Sequence, residues 1–160
     1  MEDKTTIKLG NKVMVSDPCY KPGTWCQGVL ENVLEGNWNV EVRYGYDPFG
    51  TSKTLPHALI AHHENFMGIK PNEECDFEVG VDSGMAGIFN YNYYSDVINY
   101  DNESHDKWYK EICDYIFRGR SSVHCDDYII SFTAYGDGGY TCYVGRNEEG
   151  KIVSIMIDFI

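Results

Sequence analysis

A chain of 160 residues is the size of one ordinary domain, and at that length a single core buries roughly two-thirds of the unfolded surface without help from disulfides or metal. With 42% hydrophobic and 24% charged residues, the composition excludes a disordered chain. Thirteen basic against 25 acidic residues give a formal charge of −12, which disfavours phosphate backbones and anionic membranes and suits a basic protein partner.

The opening "MEDKTTIKLG" lacks the apolar run of a signal peptide, and no stretch approaches the ~18 apolar residues of a spanning helix. A cytoplasmic protein is expected, in the host cytoplasm if phage-encoded. "KVMVS" (12–16) then alternates as a half-buried strand does, and "DPCYKPG" stops it with two prolines and a glycine. "TWCQGVLENV" (24–33) reads as a second strand. "GNWNVEVRYGY" (36–46) reads as a third, with Trp38, Val40, Val42 and Tyr44 on one face and "LEGN" as a hairpin connection between the two. A Pro- and Gly-rich loop leads into a short strand at 57–63. "DFEVGVDSG" (76–84) alternates again, and "MAGIFN" (85–90) pairs back against it.

Residues 105–118 form the clearest element. Trp108, Tyr109, Ile112, Cys113, Ile116 and Phe117 paint one helical face, with Ser104 or Asp106 as its cap and Gly119 at its end. After a polar loop, 127–135, 140–146 and 151–160 read as strands, the last two joined by the hairpin turn "NEEG". In the final strand Val153, Ile155, Ile157 and Phe159 face the core, opposite Ile152, Ser154, Met156 and Asp158. The sum is a mainly β (α+β) single domain over 1–160. It is a rolled antiparallel sheet or sandwich of about eight strands with one amphipathic helix.

Three strand exits share a character: "VSDPCY", "GVDSGMAG" and "AYGDGGY" each place an aspartate just past an apolar run, beside Gly or Pro. A short acceptor there bonds nearby N–H groups and fixes the turn. If the three turns meet at one end of the sheet, Asp17, Tyr20, Asp82, Ser83, Gly84, Tyr135, Asp137, Gly138 and Tyr140 line a ligand cleft. Its carboxylates would accept hydrogen bonds from hydroxyl or amine groups or hold a hard cation, although no specific metal is indicated. Asp137 itself is expected to lock the turn that Gly136, Gly138 and Gly139 permit.

Other constellations are weaker. Cys19 beside Asp17 is a nucleophile only if a base lies near. "HH" at 62–63 and "HCDD" at 124–127 match no metal spacing and read as exposed loop histidines. Tyr91, Tyr93, Tyr94 and Tyr100 form a candidate recognition surface. The six cysteines (Cys19, Cys26, Cys75, Cys113, Cys125, Cys142) include no C-x-x-C pair and read as free thiols.

The stretches "VSDPCY", "VDSGMAGIF" and "SFTAYGDGGYTCYVGRNEEGKIVSIMIDF" resemble motifs of a group of small bacterial and phage proteins that form a domain of unknown function. The resemblance covers residues 12–20, 78–90 and 130–159, about half the chain. It implies a compact β-rich domain and brings no activity, so no catalytic residue is carried over and no cofactor is implied. Three functions remain open. The first is a non-enzymatic acidic inhibitor, immunity or anti-defence factor acting on a basic protein. The second is a binder of a nucleotide-like signal molecule, and the third a small hydrolase.

Overall fold

In the computed structural model, which describes residues 3–50 and 53–160, the chain runs through eleven strands, one α-helix and a short π-helical turn. The strands are β1 Asp3–Leu9, β2 Val13–Ser16, β3 Gly28–Leu30, β4 Gly36–Tyr46, β5 Thr54–His63 and β6 Glu73–Val81. They continue as β7 Met85–Asn90, β8 Ser122–Cys125, β9 Tyr128–Phe132, β10 Gly138–Arg146 and β11 Ile152–Asp158. Two antiparallel sheets result. One is ordered β1-β4-β5-β11-β10-β6 and the other β3-β2-β7-β9-β8. The fold is mainly β, as the alternation implied.

The main core lies between the sheets. Ile7, Trp38, Val40, Leu59, Ile155 and Ile157 of the six-stranded sheet meet Val13, Val15, Ile88 and Ile129 of the other. The five-stranded sheet is covered on its second face too. Met14, Met85, Phe89, Tyr128 and Ile130 pack there against Tyr94 and Ile98 of the π-helical turn Tyr93–Ile98 and against Ile112 and Ile116 of α1 Asn102–Ile116. Burial on both faces explains why "VMV" and "MAGIF" are continuously apolar rather than alternating.

The helix starts earlier than its periodicity suggested. Asp101, not Ser104 or Asp106, is the N-cap, its carboxylate accepting the Ser104 N–H at 2.7 Å. Phe117 leaves the expected face and is exposed, because α1 ends one residue before it.

Both expected hairpins that join different sheets are absent. "LEGN" carries the chain from β3 in one sheet to β4 in the other. The Leu34 N–H donates to the Ile152 carbonyl, and the Trp38 indole N–H returns to the Leu34 carbonyl at 3.0 Å. Likewise "MAGIFN" does not pair with β6. It sits between β2 and β9, where both its faces are buried. The reading of 24–33 as one strand shortens to β3, and residues 17–27 are a loop. β1 and β8 are strands that the polar sequence concealed. The hairpin at "NEEG" forms, with a register shift at Gly145/Arg146 that turns Ile152 into the core alongside Ile155, Ile157 and Phe159. The face expected to hold Ile152 outward is therefore broken by this bulge.

Histidines 62 and 63 are not on a loop but within β5. His63 is buried, accepting the Asn65 N–H at Nδ1 and donating from Nε2 to the Glu35 carbonyl. All six cysteines are free thiols. Among the described residues no helix is long and apolar enough to cross a membrane.

Candidate functional site

The strand-exit turns do come together, and Asp17 joins two of them. At the end of β2 its side chain is fully buried, and its carboxylate accepts four hydrogen bonds. Oδ1 takes the Cys19 N–H at 2.7 Å and the Ser83 hydroxyl at 2.6 Å. Oδ2 takes the Asp82 and Ser83 N–H groups at 2.7 and 2.8 Å. The first sheet's exit at β6 is thereby tied to the second sheet's exit at β2. Gly84 completes this turn at φ 75, a conformation few side chains adopt. Asp17 is thus a strut with every carboxylate oxygen in use, and it faces no ligand space.

The next layer is also structural. Tyr94, fully buried, donates to the Tyr20 carbonyl and, at 3.4 Å, to the Asp17 carbonyl. His105 on α1 pairs its Nε2 with the Pro18 carbonyl at 3.0 Å. Burial and the adjacent Asp17 carboxylate push the Cys19 thiol far above its ordinary range. A nucleophile needs the thiolate, so this environment does not activate Cys19. Cys75 is the opposite case, because hydrogen bonding with Cys142 holds its thiol below the ordinary value. Iodoacetamide at neutral pH should therefore alkylate Cys75 well before Cys19, as peptide mapping after short exposures would show. Equal rates would contradict this reading of the two sites.

In front of the strut lies an open groove of about 410 Å³ lined by Tyr20, Trp25, Cys26, Val81, Asp82, Asp137 and Gly138. Two features of topology build it. The antiparallel pairing of β6 with β10 places Val81 opposite Gly138, so Asp82 and Asp137 emerge at the same sheet end. The loop 17–27 then lies along β6, where the Gly80 N–H donates to the Cys26 carbonyl at 3.0 Å. The fit is close: a Cβ on Gly28 would sit 1.9 Å from the Phe77 ring, and one on Gly80 2.7 Å from Cys26 Cβ.

Asp82 is exposed and accepts the Tyr20 hydroxyl. That bond to Asp82 holds the Tyr20 phenol well above the ordinary tyrosine range. Asp137 is exposed, and its side chain makes no hydrogen bond among the described residues. The expectation that Asp137 locks its turn is corrected accordingly. Thr133 Oγ1 and the Tyr140 hydroxyl do so by donating to the Gly136 carbonyl at 2.7 and 2.8 Å, with Gly136 at φ 78.

Tyr140 is therefore buried inside the turn, edge-on to Phe159, and does not line the groove. Tyr135 projects outside it, half exposed and edge-on to the exposed Phe49. Ser83 and Gly84 support the turn behind it. Of the expected residues, Tyr20, Asp82, Asp137 and Gly138 line the groove.

Trp25 is absent from the residues the sequence singles out, yet it is 92% exposed at the groove wall. Its position in the polar, Gly- and Pro-containing "KPGTWCQG" was the available signal, masked by reading that segment as a strand. The tyrosine surface at 91–100 is partly dissolved. Tyr94 is interior, and the Tyr91 ring carries the Lys12 amine at 4.1 Å.

Among the described residues no group of three or more His, Cys, Asp or Glu side chains is arranged to hold a metal. A protein-family model described as "Protein of unknown function (DUF4241)" matches residues 51–157, which include Asp82 and Asp137 but not the loop carrying Tyr20 and Trp25. No curated protein and no solved structure matches the chain.

Proposed function

Because the chain belongs to the DUF4241 family, whose description names no activity, its role is read from the groove, and we propose a non-enzymatic binding protein that receives a basic side chain of a protein partner there. The observation that carries this reading is the pair of exposed carboxylates, Asp82 and Asp137, beside an almost fully exposed Trp25, with no Lys, Arg or His in the groove lining. A guanidinium or ammonium between them gains charge pairing on one side and an aromatic face on the other. The −12 charge of the chain favours the encounter with such a partner. An inhibitor or immunity factor of bacterial or phage origin, acting on a basic target, fits this description.

Trp25 also supplies the assay. Of three tryptophans, Trp38 is fully buried and Trp108 half-buried, so Trp25 alone reports fully on the surface. A short oligo-arginine peptide amide should shift its emission. Affinity should fall roughly tenfold or more between about 0.02 and 0.2 M salt, where screening of exposed charges sets in. The Asp82→Asn, Asp137→Asn double variant should abolish the response and remain folded. An affinity indifferent to both salt and these substitutions would remove the reading. In that case native mass spectrometry decides for the small-molecule reading of the same groove, by a discrete mass excess on gently purified protein.

A further inference from the structure

On one side the edge strand β1 is bonded across to the second sheet. There the Lys8 N–H of β1 donates to the Asp126 carbonyl at 2.6 Å, in the turn between β8 and β9. On the other side, β6 and β3 are the terminal strands of their sheets and run beside each other, in contact through Gly28 and Phe77. Among the described residues, β3 makes no backbone hydrogen bond beyond its ladder with β2. Beyond its ladder with β10, β6 makes only that of Gly80 to Cys26. In an antiparallel ladder the backbone groups of alternate residues point to opposite sides. Gly80 points outward, so the next outward N–H and C=O along β6 belong to Glu78, and among the described residues no backbone group pairs them.

Below the Gly80 contact this seam widens into a groove of about 500 Å³. Its rims are acidic, with Glu31 from the β3 side and Glu73, Glu74 and Asp76 from β6. The one cation in the lining, Arg146, is already taken by Glu73, at 3.1 to 3.3 Å. Between the rims lie apolar contacts, Phe77 and the 44% exposed Val29.

We propose that this seam takes an extended, basic segment of a partner protein as an added strand. It pairs with the free backbone of β6 or β3 while its alternate lysine or arginine side chains meet the acidic rims. The inference rests on the proposed binding of a basic partner and names the conformation and the surface. Unpaired strand edges supply the backbone register, and the charge of the rims selects the occupant. A second copy of this chain would bring the same acidic rims together, which like-charge repulsion opposes.

The probe is an acetylated peptide amide of about six alternating lysines and valines, compared with the same peptide N-methylated at alternate residues to block strand pairing. Amide hydrogen exchange on the full-length protein reads the site. Protection at 28–31 and 73–78 is expected, with affinity lowered at least about tenfold by N-methylation, a loss that corresponds to about 1.4 kcal/mol. The Glu74→Lys, Asp76→Lys variant should lose a similar factor. Binding that survives N-methylation, or protection confined to the Asp82 and Asp137 turns, overturns strand addition and leaves the basic-partner reading standing. Absence of binding by both peptides at low salt overturns both. Protection of 28–31 and 73–78 that rises with protein concentration, without peptide, assigns the seam to a second copy and overturns the proposal.

Discussion

Asp17→Ala should lower the unfolding free energy by about 4 kcal/mol, the largest polar effect expected in this protein. The carboxylate accepts three backbone N–H groups and one hydroxyl, from Cys19, Asp82 and Ser83, inside a fully buried site. Removing it leaves four donors without an acceptor, and bonds to a charged group contribute about 1.5–3 kcal/mol each before relaxation and water entry reduce the sum. Asp17→Asn should recover part of the loss, because its single carbonyl serves fewer donors and its amide N–H groups face others. Urea denaturation followed by circular dichroism measures both. Asp82→Ala and Asp137→Ala, on exposed side chains, should each change stability by less than about 1 kcal/mol. A loss below about 1 kcal/mol for Asp17→Ala would show that the strut does not hold the two sheets' exits together.

Gly28→Ala should cost about 2–3 kcal/mol, a large effect for one methyl group. The added Cβ would lie 1.9 Å from one Phe77 ring atom and 2.0 Å from another, at the contact where the edge strands of the two sheets meet. The backbone at Gly28 is fixed by its pairing with Val15, so the ring or the strand has to move. The cause is identified by a double-mutant cycle. Phe77→Ala alone removes packing, but it also opens the space that the added methyl group needs. The double variant should then be more stable than the two single losses predict, by at least about 1 kcal/mol. Additive losses would locate the cost elsewhere than in this contact. The same variant should disturb the groove wall, because β3 follows directly from the loop carrying Tyr20 and Trp25.

Much of the architecture was legible because hydrophobic period is a local property. The alternation of Trp38, Val40 and Val42 and the helical stripe from Trp108 to Ile116 are fixed by which residues can be buried together, and the structure keeps both. Of the turn aspartates, Asp17 alone takes the expected part, accepting the Cys19 N–H of its own turn, whereas Thr133 and Tyr140 hold the turn at Asp137.

Local pattern does not say which strand neighbours which. The hairpins expected at "LEGN" and between "DFEVGV" and "MAGIFN" are crossings between sheets, because β7 is buried on both faces and needs strands on both sides. Nor does the sequence distinguish the three aspartates, whose turns look alike. Only the packing of the sheets makes Asp17 a buried strut and leaves Asp82 and Asp137 facing solvent together. Tyr140 and Tyr135 lie five residues apart, yet one closes a turn from inside and the other stands outside it. Trp25 has the same cause: an exposed tryptophan is visible only once the loop that holds it is seen to lie along β6 through Cys26. The residues determined that this chain is a β-rich domain with acidic turns. The pairing of β6 with β10 decided which of those acids stand exposed at the same sheet end.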